Sequence, residues 1–370
     1  MKTTSTADLQ SNLCSPGSFS PAVVATRAAL DESVHFAAIA IVTIQSTLVA
    51  SLGDPGLIAY MRSSSKPLQA LPLVENGGVE AFNLTLQEIA LMCASHEGSD
   101  EHVRVVKEIQ AKTGVAESDL LCGTHPVSNR ATADAMLFRG EEPTPNRHNC
   151  SGKHTGFLSQ AVLRNLPKEN YLEPSHPVQQ TVINTFSEMV NMDPDAIHIG
   201  IDGCSAPVFA LPLYNSALGI ARLCDPQKLS PTRAAACKTI TSAMTQFPQM
   251  VAGEGIFDTR LMQIGQGKII SKRGAEGYQI IGLLPGAIAQ DSPALGIAMK
   301  VADGDPKERA RPLMSLEVLR QLGALSPAQF EQLANFDRRP LINYRKIEVG
   351  MLQPVFRLDF RTAWKYKPSL

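Results

Sequence analysis

The sequence has no excess of charge of either sign and no long apolar run. Lys and Arg number 34 against 35 Asp and Glu, so the formal net charge is -1 and no bulk field attracts a polyanion. We therefore expect no nucleic acid partner. The longest apolar run, Phe36 to Val42, is far shorter than the roughly 20 residues that span a bilayer, so we expect no membrane partner.

Two features of secreted proteins are also missing. Residues 1–20 are rich in Ser and Thr and lack the continuous apolar core of a secretory signal. The seven cysteines are scattered and odd in number, which argues against a disulfide framework. The sequence therefore predicts a cytoplasmic protein.

The apolar patterns predict strands at both ends of the chain and a mostly helical middle. Val34 to Val42 and Tyr278 to Leu284 have the composition of buried strands, whereas Asp100 to Thr113 and Pro231 to Gln246 have helical periodicity. Regular alternation of strands and helices is absent, which argues against a doubly wound parallel sheet. We predict an α+β fold, with an antiparallel sheet flanked by helices and a helical lobe.

The chain is long enough for one large domain with a substantial core. We predict that residues 1–27 are a flexible N-terminal tail and that residues 28–370 form a single domain. Its sheet lobe takes residues from about 28–62 and 265–370, and its helical lobe takes residues from about 63–264. No repeat or obvious linker divides it.

A serine and a lysine stand three residues apart in Arg62-Ser63-Ser64-Ser65-Lys66, near the start of a predicted helix. Positions i and i+3 share a helix face, so we expect Ser63 Oγ and Lys66 Nζ within hydrogen-bond reach. A neutral lysine can take the hydroxyl proton and make the serine a nucleophile. A serine-rich helix start is also common as a simple cap, and the spacing alone does not separate the two hypotheses.

A second hydroxyl and a second lysine lie further along the chain. Hydrolases with a Ser-x-x-Lys dyad commonly add a hydroxyl from a loop of the helical lobe and a lysine from a late strand, in the pattern Lys-x-Gly. Ser95 and Lys272 occupy those places in that order. Two neighbouring lysines depress each other's pKa, as a lysine base requires. By itself, Lys272 is equally compatible with a solvated position in a hairpin.

A third group contains two cysteines, Cys150 and Cys204, together with Lys153. A thiolate pair and one nitrogen donor match a zinc site with a fourth position left for water. The two cysteines lie in unlinked segments, however, and the close cysteine pairs of zinc fingers are absent. Asp202 lies at a strand end, where its carboxylate can hold a substrate ammonium or simply form a turn.

Six motifs contain most of these residues, lie between them or follow them. They are Arg62-Ser-Ser-Ser-Lys66-Pro-x-Gln-Ala, Met92-Cys-Ala-Ser95-His96, Asn149-Cys-Ser-Gly-Lys153-His154, Asp202-Gly-Cys204, Met250-Val-Ala-Gly-Glu254-Gly and Ala294-Leu-Gly-Ile. Together they resemble the rhizobial-type L-asparaginases, a family apart from the better-known bacterial and plant types. The resemblance runs from about Glu32 to about Asp303.

The resemblance implies a fold like that of the serine β-lactamases and related glutaminases. The catalytic set that it implies is two Ser-Lys tandems, Ser63 with Lys66 and Ser95 with Lys272. The implied ligands of a Zn2+ ion are Cys150, Lys153 and Cys204. The implied substrate contacts are Arg62, Asp202 and His154. A homodimer is also expected from the family.

The motifs support the hypothesis of an amidohydrolase that cleaves the side-chain amide of L-asparagine to aspartate and ammonia. In this hypothesis Ser63 attacks, Lys66 accepts its proton, and Ser95 and Lys272 relay the proton to the leaving ammonia. One rival is a glutaminase or a β-lactamase-like serine hydrolase that acts on another amide. The other is a catalytically silent zinc-binding protein on the same fold.

Overall fold

The computed structural model describes residue 15 and residues 17–366. The strands are β1 (Ser20–Arg27), β2 (Leu30–Thr43), β3 (Leu48–Leu52), β4 (Ile58–Tyr60), β5 (His198–Ile201), β6 (Pro207–Pro212), β7 (Ile269–Arg273), β8 (Tyr278–Leu283), β9 (Leu295–Val301), β10 (Arg339–Ile342), β11 (Glu348–Pro354) and β12 (Asp359–Phe360). The helices are α1 (Lys66–Glu75), α2 (Gly78–Ala81), α3 (Leu86–Met92), α4 (Asp100–Thr113), α5 (Arg130–Arg139), α6 (Ser151–Leu163), α7 (Pro177–Val190), α8 (Leu213–Cys224), α9 (Pro231–Gln246), α10 (Pro248–Ala252), α11 (Phe257–Ile264), α12 (Arg311–Leu322) and α13 (Pro327–Gln332).

An antiparallel sheet with the order β10-β11-β1-β2-β9-β8-β7 forms the centre of the molecule. Along one edge, β2 pairs with β9, and along the other it pairs first with β1 and then with β3. Strand β7, which carries the predicted site residue Lys272, ends the sheet on one side. The sheet therefore joins segments from both ends of the chain, as predicted.

Strand β2 is central because both of its faces are apolar. Ala37, Ile39 and Ile41 face one core, and Ala38, Ala40 and Val42 face the other, as the two-residue period of a strand requires. Helix α8 covers one face and helix α12 covers the other. The result is a sheet between two helical layers.

Helix α8 lies almost directly on strand β9. A Cβ added at Gly296 would stand 1.8 Å from the carbonyl oxygen of Ala217 and 2.5 Å from the backbone nitrogen of Ala221. Neither backbone atom can move without shifting the helix, so only glycine allows this approach. The contact anchors the helical lobe to the sheet.

A second, three-stranded sheet with the order β4-β6-β5 lies within the helical lobe. Its inner face packs on α7, where the rings of Phe186 and Phe209 stack with centroids 4.4 Å apart. Strand β4 leads directly into the segment of Ser63, and β5 leads into that of Asp202. This small sheet therefore brings two predicted site segments together.

The predicted α+β class is confirmed, with an antiparallel sheet, flanking helices and a helical lobe. The predicted tail needs a correction. Residues 1–14 and 16 lie outside the described residues, but Ser20–Arg27 form β1 between β11 and β2. The signal was the short apolar run Ala22 to Ala25, which is buried in the sheet. Among the described residues, no helix combines the length and apolar character needed to cross a bilayer.

Replacing Phe209 by alanine should destabilise the fold, because the ring is fully buried and stacks on Phe186. We expect Phe209→Ala to lower the free energy of unfolding by about 3 to 5 kcal/mol, measured by urea denaturation. Phe138→Ala is the matched control, since that ring is 96% exposed, and should change stability by less than about 0.5 kcal/mol. Equal losses in the two variants would contradict the packing described here.

Candidate active site

Ser63 lies in a 3₁₀ turn, Arg62–Ser65, between β4 and α1. The neighbouring hydroxyls are already occupied by backbone: Ser64 Oγ donates to the Met61 carbonyl at 2.6 Å and Ser65 Oγ to the Arg62 carbonyl at 2.8 Å. Both of those serines are buried, whereas Ser63 is half-buried and faces a pocket. Of the three consecutive serines, Ser63 is the one available for chemistry.

The pocket, which we call the serine pocket, has a volume of about 330 Å³ and is suited to a small molecule. Its walls include Ser63, Ser95, Asn149 and the segment from Arg273 to Gly277. Arg273 pairs with Glu308 at 3.1 Å on the wall. This ion pair was not predicted from the sequence, because Glu308 is remote in the chain and no local pattern links the two residues.

Two lysine amines converge on the hydroxyl of Ser95. Lys66 Nζ donates to Ser95 Oγ at 3.0 Å, and Lys272 Nζ contacts the same oxygen at 2.9 Å. Both lysines are at most 1% exposed. Burial, and next the charge of Lys66, lower the pKa of Lys272 well below its usual value. A neutral Lys272 can therefore accept the Ser95 proton while Lys66 donates to the same oxygen.

The predicted hydrogen bond between Ser63 and Lys66 is absent from the described part of the chain. Lys66 Nζ instead donates to the Ala94 carbonyl, to Ser95 Oγ and, at 3.4 Å, to the Asn149 carbonyl. These three acceptors bind the Lys66 amine, which therefore does not hydrogen-bond to Ser63. The prediction took account of helix spacing alone and could not include these carbonyls, which come from distant loops.

Gly274 determines how closely strand β7 approaches the turn of Ser63. A Cβ at Gly274 would stand 2.4 Å from the Met61 carbonyl oxygen and 3.4 Å from the Ser64 nitrogen. A glycine in a strand that lines a pocket commonly marks a close backbone approach, for example that of a bound substrate. The structure assigns it a different neighbour, the protein's own turn, so that β7 and Ser63 form one continuous wall.

Arg62 and Asp202 form an ion pair next to Ser63. Arg62 Nη2 and Nε lie 2.7 and 2.9 Å from Asp202 Oδ1, and the Gly203 backbone nitrogen donates to the same oxygen at 2.7 Å. Burial favours the protonated carboxyl, but Lys153, Arg62 and the Gly203 N–H outweigh it and lower the pKa of Asp202. Asp202 is therefore a carboxylate at neutral pH, with its charge paired.

Cys150, Lys153 and Cys204 come together in the buried interior. Cys150 precedes α6, Lys153 lies in the first turn of that helix, and Cys204 lies in the turn between β5 and β6. Lys153 Nζ donates to Cys204 Sγ at 3.0 Å. A hydrogen bond from the Cys204 thiol lowers the pKa of Cys150 well below its usual value, against burial, and Lys66 and Lys153 add to this effect.

The chemistry of this group fits a zinc ion, because two sulfurs and one nitrogen are adjacent and protected from water. The described chain contains no group of three or more His, Cys, Asp or Glu side chains placed to hold a metal, either here or elsewhere. Any zinc site at this position would therefore use the ligands predicted from the sequence, which are the two cysteines and Lys153. Its lysine has a raised pKa despite burial, because the two cysteines favour the ammonium form.

His154 does not reach the serine pocket. It is fully buried, and its Nδ1 forms a 2.6 Å hydrogen bond with the Tyr171 hydroxyl. Burial lowers its pKa to about 4, so the ring is neutral at neutral pH. The predicted direct contact of His154 with substrate is not supported by this position. Its Nε2 is buried and makes no hydrogen bond of ordinary geometry among the described residues, while nearby Cys204 opposes the lowering of the His154 pKa by burial.

The family model that describes L-asparaginase II matches residues 23–354 of the chain. No curated protein sequence is significantly similar to it. Among solved structures, a β-lactamase from Mycobacterium bovis is similar at 14% identity, with a TM-score of 0.41 and coverage of 78% of this chain and 95% of that one. A probable glutaminase from Bacillus subtilis is similar at 12% identity, with a TM-score of 0.35 and coverage of 76% and 82%.

The Asp202 ion pair should contribute stability that depends on pH. Because the folded state lowers the pKa of Asp202, the contribution is complete above the usual carboxyl range and is lost as the pH falls through the lowered value. Asp202→Asn should lower the free energy of unfolding at pH 7 by about 1 kcal/mol, and the difference from the parent should shrink below about pH 4. Urea denaturation at both pH values measures this.

Asp31→Asn is the control for this comparison, because Asp31 is exposed and makes no ion pair among the described residues. It should leave stability unchanged at both pH values. An Asp202→Asn effect of the same size at neutral and acidic pH would contradict the electrostatic account.

Proposed function

The chain belongs to the L-asparaginase II family, and on this premise we propose that it hydrolyses the side-chain amide of L-asparagine to L-aspartate and ammonia. The observation that carries the proposal is the hydroxyl of Ser95 between two buried lysine amines, next to a pocket that also presents Ser63. An amide needs a strong nucleophile and a donor for its poor leaving group. Two hydroxyls and two amines supply both.

In the first half of the reaction, Ser63 Oγ attacks the amide carbon. Lys66 protonates Ser95 as Ser95 gives its own proton to the neutral Lys272, and the neutral Lys66 amine that results takes the proton of Ser63. The carbon–nitrogen bond then breaks, and the departing nitrogen takes a proton back through the same chain to leave as ammonia. This route requires Lys66 Nζ to turn from the Ala94 carbonyl towards Ser63 when substrate binds.

In the second half, water attacks the ester on Ser63. The same lysine pair removes the proton from water and returns one to Ser63 Oγ, which leaves as a hydroxyl with free aspartate. Ser95 never changes its covalent state in this scheme. Its role is to conduct a proton between two amines, for which contacts of 3.0 and 2.9 Å are suitable.

The negative oxygen of the tetrahedral intermediate needs hydrogen-bond donors. The backbone nitrogens of Ser63 and Ala275 are candidates, since both residues line the serine pocket and no acceptor within the described chain takes either N–H. Gly274 holds these two segments against each other. We propose them as the oxyanion hole.

Arg62 and Asp202 suit the two charged groups of an α-amino acid. They bind each other in the absence of ligand, and a zwitterion offers each of them a replacement partner of the right sign. The substrate carboxylate would pair with Arg62, and the substrate ammonium would pair with Asp202. Neither charge would then be left unpaired during the exchange.

We further propose that Cys150, Lys153 and Cys204 hold a zinc ion. Bound zinc would stabilise the two thiolates and supply a positive charge near Asp202 in place of the Lys153 ammonium. The protein's own part is to keep the thiols buried and to hold Asp202 ready for the substrate ammonium. The homodimer and the cytoplasmic location stay predictions from the sequence.

Ammonia release from L-asparagine by the purified protein tests the main proposal. Ser63→Ala should lower the rate more than ~1,000-fold, because Ser95 supplies the other hydroxyl among the described lining residues and both lysines already hydrogen-bond to it. Ser64→Ala is the matched control and should keep most of the rate, since its hydroxyl is bound to the Met61 carbonyl. Retained activity in Ser63→Ala would reject Ser63 as nucleophile.

Two further substrates separate the rivals in the same assay. Faster turnover of L-glutamine or of a β-lactam would place the protein among the related hydrolases instead. Binding of L-asparagine without any ammonia release would favour the silent zinc-binding protein.

Metal analysis of the purified protein tests the zinc proposal. We expect about one zinc ion per chain in the parent and none in Cys204→Ala. Cys237→Ala, which removes another buried free thiol, should keep the metal. A parent protein without zinc, or a Cys204→Ala variant that retains it, would contradict this assignment.

A further inference from the structure

Asp258 is a carboxylate buried directly behind the strand that carries Lys272. It lies on α11 and is 1% exposed, yet no cationic side chain touches it within the described chain. Three donors surround it instead: Ser271 Oγ at 2.6 Å and Gln279 Nε2 at 2.9 Å on Oδ1, and the Arg273 backbone nitrogen at 3.0 Å on Oδ2. Buried charges without an ionic partner are rare and call for an explanation.

The hydrogen bonds of Asp258 fix the position of Lys272 along the strand. Strand β7 ends the main sheet, so within the described part of the chain one of its edges has no neighbouring strand. Asp258 accepts the Arg273 N–H and the Ser271 hydroxyl, and therefore binds the residues on either side of Lys272. Because side chains alternate along a strand, Lys272 itself projects away from Ser271 and reaches Ser95.

The charges around Lys272 show what Asp258 contributes. Positive groups are Lys66, at the start of α1, and Arg273 of β7, and both disfavour a charged Lys272. The negative or ionisable groups are Asp258 on α11, Cys150 before α6 and Cys93 after α3. Asp258 is the strongest of these in favouring a charged Lys272. Burial disfavours the ionised Asp258 carboxyl, whereas a protonated Lys272, the Arg273 charge and the hydrogen bonds from Ser271 and Gln279 favour it.

We propose that Asp258 is a positioning residue for Lys272. Asp258 fixes strand β7, and its negative charge balances the positive charge that Lys272 acquires when it takes a proton during turnover. The role of Lys272 in this inference rests on the proposed function. The proton comes from Ser95 Oγ, no bond to Asp258 forms or breaks, and Asp258 remains a carboxylate throughout. Without it, a protonated Lys272 would have Lys66 and Arg273 as charged neighbours, and Cys150 would be the remaining group that favours its charge.

Removing the charge should make Lys272 harder to protonate. In Asp258→Asn, the amide can still accept the Arg273 N–H through its oxygen and donate to the Ser271 hydroxyl through its nitrogen. The Gln279 amide then has to turn over, so that its Oε1, which has no partner among the described residues, accepts from the new NH2 group in place of the lost Nε2 bond. Loss of the negative charge lowers the pKa of Lys272 further, so its titration should move to lower pH by about one unit or more. The direction is opposite to that expected from simple exposure of the site, which would move the pKa back up.

The titration can be followed without substrate. Protein labelled with carbon-13 at lysine Cε reports the protonation of each lysine, and Lys272→Met identifies the Lys272 signal. We expect the Lys272 pKa to be lower in Asp258→Asn than in the parent, and the acidic limb of kcat/KM for L-asparagine to shift the same way. If Asp258→Asn does not fold, Asp258→Ser leaves room for water to accept the Arg273 N–H and takes its place.

Ser271→Ala is the matched control, because it removes a hydrogen bond to Asp258 and keeps the charge. It should lower the melting temperature without lowering the Lys272 pKa. An unchanged Lys272 titration in the Asp258 variants, or the same shift in Ser271→Ala, would overturn the proposal. A shifted titration in a protein that releases no ammonia from L-asparagine would support Asp258 and reject the proposed function instead.

Discussion

The repulsion between two buried lysine amines governs the architecture of this site. Lys66 and Lys272 share the Ser95 hydroxyl, and both are removed from water. Two ammonium groups cannot coexist there at low cost, so one amine must be neutral, and the lowered pKa of Lys272 identifies it. A buried neutral amine beside a hydroxyl is a base that is ready before any substrate arrives.

Three separate parts of the fold are needed to hold that arrangement. Lys66 comes from the start of α1, Ser95 from the loop after α3, and Lys272 from the last strand of the main sheet. The three residues are far apart in sequence, and each makes a hydrogen bond with a backbone carbonyl. The Lys66 amine donates to the Ala94 carbonyl, and the Lys272 amine donates to the Arg273 carbonyl. The Ser95 N–H donates to the Val251 carbonyl. The pair of lysines therefore exists only in the folded chain.

Lys66 also links the two groups of reactive residues. It lies close enough to Cys150 to lower the pKa of that thiol, while it donates to Ser95 on its other side. Lys153 connects the thiols to Asp202 in the same way, through its effect on the Asp202 carboxyl. The thiol group and the serine pocket are thus one electrostatic unit, although the cysteines do not line the pocket.

Local signals made much of this predictable from the sequence. Helix α4 has the predicted limits because Ser99 caps its first turn and Gly114 ends it in a left-handed conformation. The motif residues of the site were also found, since their types and order are unusual. Contacts with backbone groups that are remote in the chain could not be predicted from the sequence. The Ala94 and Asn149 carbonyls, which bind the Lys66 amine in place of Ser63, are one example. The hydrogen bond from the Arg273 backbone nitrogen to Asp258 is another.

The most direct test of the account is to catch the covalent intermediate. The protein is mixed with L-asparagine, quenched in acid within the first turnovers, digested and examined by peptide mass spectrometry. The account predicts an aspartyl ester on the peptide that contains Ser63 and none on the peptide that contains Ser95. An ester on Ser95, or ammonia release with no ester on either serine, would contradict the division of roles between the two hydroxyls.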